Sequence, residues 1–165
     1  MMANTIPGWR DSLPPILVAE DDPFSRDLLE EAAKEAHLPI PLHVVRDGAE
    51  VVDYMKRCVD PTCRTSSPAP GSILMELSLP RVNGMEVLGF LRGRPEFHDI
   101  PVLILGVSND SAEACYRAGA TAFLVKPVRF TGLVSAIRLA EAHWCRYVHQ
   151  RNAVTTTALR GQERS

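Results

Sequence analysis

No stretch of this 165-residue chain approaches the ~18 consecutive apolar residues that a membrane-spanning helix needs. Charge of one sign is missing too. Lys and Arg number 18 against 20 Asp and Glu, a formal net charge of −2, so the composition makes no electrostatic case for nucleic acid or an anionic membrane. The opening residues, MMANTIPGWRDSLPP, show no basic region followed by an apolar core. No secretory signal is visible there, and a cytoplasmic protein is expected. Cysteine is sparse: of Cys58, Cys63, Cys115 and Cys145, only the first two are close in sequence, and no paired histidines lie nearby. The spacing of a four-ligand zinc site is absent, and reduced thiols are expected. The histidines (His37, His43, His98, His143 and His149) are scattered and read as surface or helix-face residues. No internal repeat is apparent. With 45% apolar side chains, the chain has enough material for one compact domain with its own core.

Short apolar runs alternate with helical patterns. Pro15–Glu20, Leu42–Arg46, Ser72–Leu77, Pro101–Leu105 and Ala122–Val125 read as strands. Asp22 and Pro23 suit the cap and first position of a helix, whose apolar face is expected to comprise Phe24, Leu28, Ala32 and Ala36, with Leu29 and Ala33 beside them. Further helices are expected over Ala49–Cys58, Met85–Leu91, Ser111–Ala118 and Phe130–Val148. Residues 59–72 carry prolines, Ser and Thr, and read as a loop. The division is a flexible N-terminal segment over 1–14, a domain over 15–150 and a flexible polar tail over 151–165. Five strands alternating with five helices predict an α/β fold: a doubly wound five-stranded parallel sheet.

Such sheets bind ligands beyond the carboxyl ends of their strands. The residues expected there are Glu20, Asp21 and Asp22 after the first strand, Glu76 and Ser78 at the third, Gly106 at the fourth and Lys126 at the fifth. Converging carboxylates repel one another unless a cation intervenes. Lys126 is one such cation, and a divalent ion bound by hard oxygens is another.

The pieces LVAEDDP, VVRDGAE, ILMELSLPRVNGMEVL, PVLILGVSND and AGATAFLVKPV, in that order and spacing, resemble the receiver domain of bacterial two-component response regulators. They are especially similar to the stand-alone receivers that partner phytochrome-type histidine kinases. The resemblance covers roughly Ile16–Val148 and implies a flavodoxin-like (βα)5 receiver fold, a signalling role and no enzymatic function. It implies that Glu20 and Asp21 hold Mg²⁺ together with Glu76 and the carbonyl of Ser78. It makes residue 76 the phosphoacceptor position, Lys126 the charge-neutralising lysine, Lys126–Pro127 a cis peptide bond, and Gly106 and Phe123 the switch positions.

Two of these positions depart from the family pattern. The acceptor position holds Glu76 instead of Asp, and the hydroxyl position holds Gly106 instead of Thr or Ser. Glutamate carries its carboxylate roughly 1.5 Å farther out, and an error of about 1 Å in an in-line attack can cost on the order of 10²-fold. Gly106 removes a donor that would stabilise the transferring charge. The expected function is an atypical, phosphorylation-independent receiver that acts through protein contacts, with Glu76 resting against Lys126. Weak Mg²⁺ binding is expected. The expected partners are a histidine kinase of the phytochrome type or another signalling protein, together with a homodimer through the face of the last helix and strand. Neither DNA nor membrane is expected as a partner. The alternative is phosphorylation by a kinase at or near Glu76. A hydrolase on the same sheet is disfavoured, because no Asp-x-Asp pair stands at the third strand and no Gly-rich loop follows the first.

Overall fold

The computed structural model describes residues 13–127 and 129–162; most of the segment assigned above to 1–14 lies outside the described residues. The order of elements is β1 (Ile16–Ala19), α1 (Pro23–Glu35), β2 (Leu42–Val45), α2 (Gly48–Val59), β3 (Ser72–Glu76), α3 (Gly84–Arg92), β4 (Val102–Gly106), α4 (Ala112–Arg117), β5 (Ala122–Val125) and α5 (Phe130–Gln162). A single 3₁₀ turn, Asn109–Ser111, leads into α4. The strands form one parallel sheet in the order β2-β1-β3-β4-β5. This is the doubly wound parallel sheet expected from the alternating pattern, in the flavodoxin-like (βα)5 arrangement that the family resemblance implies. No helix among the described residues is long and apolar enough to cross a membrane.

Alternation along the strands builds two cores. Leu17, Ala19, Ile73, Met75, Val102 and Ile104 face the layer made by α2, α3 and α4, while Ile16, Val18, Leu74, Leu103 and Leu105 face α1 and α5. Because both faces are covered, the strands read as continuous apolar runs. Helix starts are set by local chemistry. The Asp22 side chain accepts from the Ser25 N–H at 2.7 Å with Pro23 in the first turn, and Asn83 forms a reciprocal capping box with Glu86.

Two expectations about the helices need correction. Phe24 is 69% exposed, whereas Leu29 and Ala32 of the same expected face are buried. Its first turn begins beyond the last residue of β1, where no sheet lies beneath it. The last helix does not end at Val148: it continues to Gln162, so 151–162 is helical where a polar tail was expected. Polarity read as a tail is equally the signature of a helix that has left the core behind and is exposed on its described faces.

Candidate functional site at the carboxyl edge of the sheet

The sheet order reverses between β1 and β3, and in parallel sheets that switch point opens a crevice at the carboxyl edge. Glu20 follows β1 and Glu76 ends β3. Val18 and Leu74, two residues earlier, face the α1–α5 layer, and period-two alternation brings Glu20 and Glu76 out on that same side. Lys126 follows β5 and is tied to β4 by its own N–H, which donates to the Gly106 carbonyl at 2.7 Å.

The three side chains meet. Lys126 Nζ donates to Glu20 Oε2 at 3.0 Å and lies against Glu76 Oε1. Glu20 is 1% exposed; its Oε1 accepts the Asp22 N–H at 3.0 Å. A buried charge persists only where it is paired and hydrogen-bonded, and both Glu20 oxygens are engaged. Arg26 Nη1 donates to the carbonyls of Glu20 and Asp21 at 3.1 and 2.9 Å, stiffening the turn that carries the acid pair. Nothing in the spacing of the sequence singled out Arg26.

Burial pushes the Glu76 carboxyl up to about 7, reinforced by the nearby Glu20 carboxylate and opposed by Lys126. Burial pulls the Lys126 ammonium down, but its bonds to Glu76 and Glu20 outweigh that and hold it above its ordinary value. One ammonium thus serves two carboxylates. Asp21, exposed at the rim, adds a third. Glu20, Asp21 and Glu76 each offer a carboxylate oxygen, all within 4.8 Å of one another. This hard-oxygen set suits Mg²⁺ or Mn²⁺, although an entering ion competes with Lys126 for Glu20 and Glu76. Ser78 is exposed two residues past Glu76. The Lys126–Pro127 bond is trans, correcting the cis bond expected there. A trans X-Pro bond is favoured by about 0.5–1 kcal/mol unless the surroundings override it.

Gly106 and Phe123, the expected switch positions, lie next to each other. Ile104 in β4 pairs with Phe123 in β5, and the Phe123 ring lies over Gly106. A Cβ on Gly106 would sit 2.4 Å from Phe123 Cζ and 2.9 Å from Cε2. The volume a Thr or Ser side chain would need is filled by the ring. Ser108, a candidate replacement hydroxyl, is engaged elsewhere: its Oγ donates to Asp110 Oδ2 at 3.0 Å and caps the 3₁₀ turn. The Tyr116 hydroxyl accepts the Phe123 N–H at 3.1 Å, a tie between α4 and β5 that the sequence did not reveal.

Residues 16–138 match the family described as "Response regulator receiver domain". The chain belongs to that family. As a receiver it is similar to Response regulator Rcp1 of Synechocystis, with 29% identity over 81% of this chain and 92% of Rcp1. The crystal structure of the Mn²⁺-bound form of Rcp1 superposes with a TM-score of 0.67 at 27% identity, covering 80% of this chain and 94% of that one. Response regulator RPA3017, described in red light signaling of R. palustris, superposes with a TM-score of 0.68 at 32% identity, covering 76% of this chain and 90% of that one. The phosphorylated cyanobacterial phytochrome response regulator RcpA gives a TM-score of 0.69 at 26% identity, covering 81% of this chain and 95% of that one. This receiver is therefore a response regulator of two-component signalling that resembles phytochrome response regulators, and its acidic cluster lies at the switch point between β1 and β3.

Proposed function

We propose that this receiver signals without accepting a phosphoryl group, as a one-state interaction module. Its partner is a histidine kinase of the phytochrome type or another signalling protein. The observation that carries the reading is the Phe123 ring seated over Gly106. A receiver that responds to phosphorylation needs a hydroxyl group to move toward the new charge; here there is no side chain to move, and the tip of the Phe123 ring stands where one would begin. The pairing of both Glu76 and Glu20 with Lys126 supports the same reading, because the carboxylate that would have to attack is held by a cation in a buried cluster. Likeness to proteins described as phytochrome and red-light regulators supports the choice of partner. Mg²⁺ would be held weakly by Glu20, Asp21, Glu76 and the Ser78 carbonyl, supplying charge neutralisation that Lys126 already supplies in part. A homodimer would use β5, an edge strand of the sheet, and the neighbouring helices, where Tyr116 and Val125 are exposed.

The test is incubation with acetyl phosphate and with phytochrome-type kinases in Mg²⁺, followed by intact-mass measurement, with calorimetry for the metal. The wild-type chain is expected to gain no phosphoryl mass and to bind a kinase equally well with and without ATP. Mass gain that disappears in Glu76→Gln would overturn the reading in favour of acceptance at Glu76.

A further inference from the structure

Among the described residues, no strand pairs with the outer side of β2. Its inner side is fixed by β1: the Ile16 N–H donates to the Pro41 carbonyl at 2.9 Å, and the Glu20 N–H donates to the Val45 carbonyl at 3.1 Å. Bonding alternates along a parallel strand, so Leu42, Val44 and Arg46 turn their N–H and C=O groups outward. One of these donors already has a partner. The Glu50 carboxylate of α2 accepts the Arg46 N–H at 2.7 Å, taking the place that a neighbouring strand would fill. Among the described residues, no such group covers Val44 in the middle of the edge.

Val44, Val45 and Arg46 form one wall of a groove of about 410 Å³, and Glu50, Asp53 and Arg57 of α2 form the other. Asp53 and Arg57 are exposed. An acid four residues before a base is the favoured order for an ion pair on a helix, yet neither has an ion-pair partner among the described residues. The helix runs back along the strand from the contact of Glu50 with Arg46. It rises about 1.5 Å per residue against about 3.3 Å in the strand, which brings Asp53 close to the level of Val45 and Arg57 to that of His43. Those two strand residues face α2: Val45 packs in the core that α2 covers, and the His43 ring lies 4.7 Å from the Tyr54 ring.

We propose that the groove between β2 and α2 receives an extended segment of a partner protein, which adds antiparallel to β2 and carries a basic side chain and, two residues later, an acidic one. In strand addition the main chain supplies affinity and alternate side chains supply selectivity. The segment residue opposite Val44 exchanges both main-chain bonds with it. Its two neighbours point to the α2 side: the one opposite Val45 meets Asp53, and the one opposite His43 meets Arg57. The spacings agree, since four helix residues rise about 6 Å and two strand residues about 6.7 Å. The order of the charges follows from direction, because an antiparallel segment passes Asp53 before Arg57. The proposal rests on the fold alone and stands whatever the acidic site does.

The test is a heteronuclear NMR titration of the full chain with three peptides. The first is acetyl-Thr-Lys-Val-Glu-Thr-amide, the second its charge-swapped form acetyl-Thr-Glu-Val-Lys-Thr-amide, and the third the first peptide N-methylated at its valine. The first is expected to shift the Val44 amide saturably, with a Kd on the order of 1 mM. The charge-swapped peptide is expected to bind about tenfold more weakly, and the N-methylated one not to saturate. The double variant Asp53→Lys/Arg57→Glu changes only exposed side chains and is expected to reverse the preference between the two charge orders. Absence of a saturable shift at Val44 up to about 10 mM peptide, equal binding of the two orders, or an unchanged preference in the double variant overturns the proposal. So does a Val44 shift that follows protein concentration without peptide, because the occupant is then a second copy of the chain.

Discussion

Glu76 shares one ammonium with Glu20, and its proton is measurable. The native carboxyl is pushed up to about 7 from 4.5, mainly by burial. Between those two values the folded protein keeps a proton that the unfolded chain releases, so this group subtracts stability as pH rises. The neutral isostere in Glu76→Gln does not titrate. The stability of Glu76→Gln relative to wild type, from urea melts in EDTA, is therefore expected to shift in the variant's favour between pH 4.5 and 8. A flat or opposite trend contradicts the assignment. Gly106 gives a second prediction. Gly106→Thr drives a side chain into the Phe123 ring, and overpacking of this kind typically costs about 1–3 kcal/mol. Phe123→Ala is expected to cost less in that background than in the wild type, a non-additivity of about 1 kcal/mol in a double-mutant cycle. Both residues were visible in the sequence as departures from a pattern. Their mutual contact was not, because it arises from the register of β4 against β5.

Among the elements, Arg92 at the end of α3 does more structural work than its place in the sequence suggests. Its Nε donates to the Gly119 carbonyl at 2.9 Å, Nη1 to Phe97 at 3.2 Å and His98 at 2.9 Å, and Nη2 to Ile100 at 2.9 Å. One guanidinium thus joins α3 to the loop that enters β4 and to the turn after α4, where Gly119 adopts φ +102°. Arg92→Ala strands four carbonyls and is expected to destabilise by roughly 3 kcal/mol in urea. Arg92→Lys is expected to recover less than half of that, since an ammonium cannot reproduce the fork. Caps and strand runs were legible because they are local. The Asp22 and Pro23 start of α1 and the apolar run of β4 are written into adjacent residues. The true end of α5 was not, since a helix end carrying Thr155 to Thr157 gives no periodic signal.

Among the described residues, β2 and β5 are the edge strands of the sheet, and β5 is flanked by the exposed Tyr116 and Val125. Association through that face predicts a concentration-dependent dimer by sedimentation velocity that Val125→Asp abolishes while leaving the thermal midpoint within a few degrees. A sharp monomer at the highest accessible concentration removes the dimer.

The acid pair, the carboxylate at residue 76 and the lysine before Pro127 are all readable in the chain, as is the alternation of strands with helices, because residue type and local period depend only on neighbours in sequence. That Lys126 serves Glu20 and Glu76 together, that a phenyl ring takes the place of a missing side chain at Gly106, and that Arg92 reaches the Gly119 carbonyl as well as three nearer ones are settled by folding. Those contacts join residues up to 106 positions apart. Their geometry comes from strand order, register and packing, which no local pattern encodes.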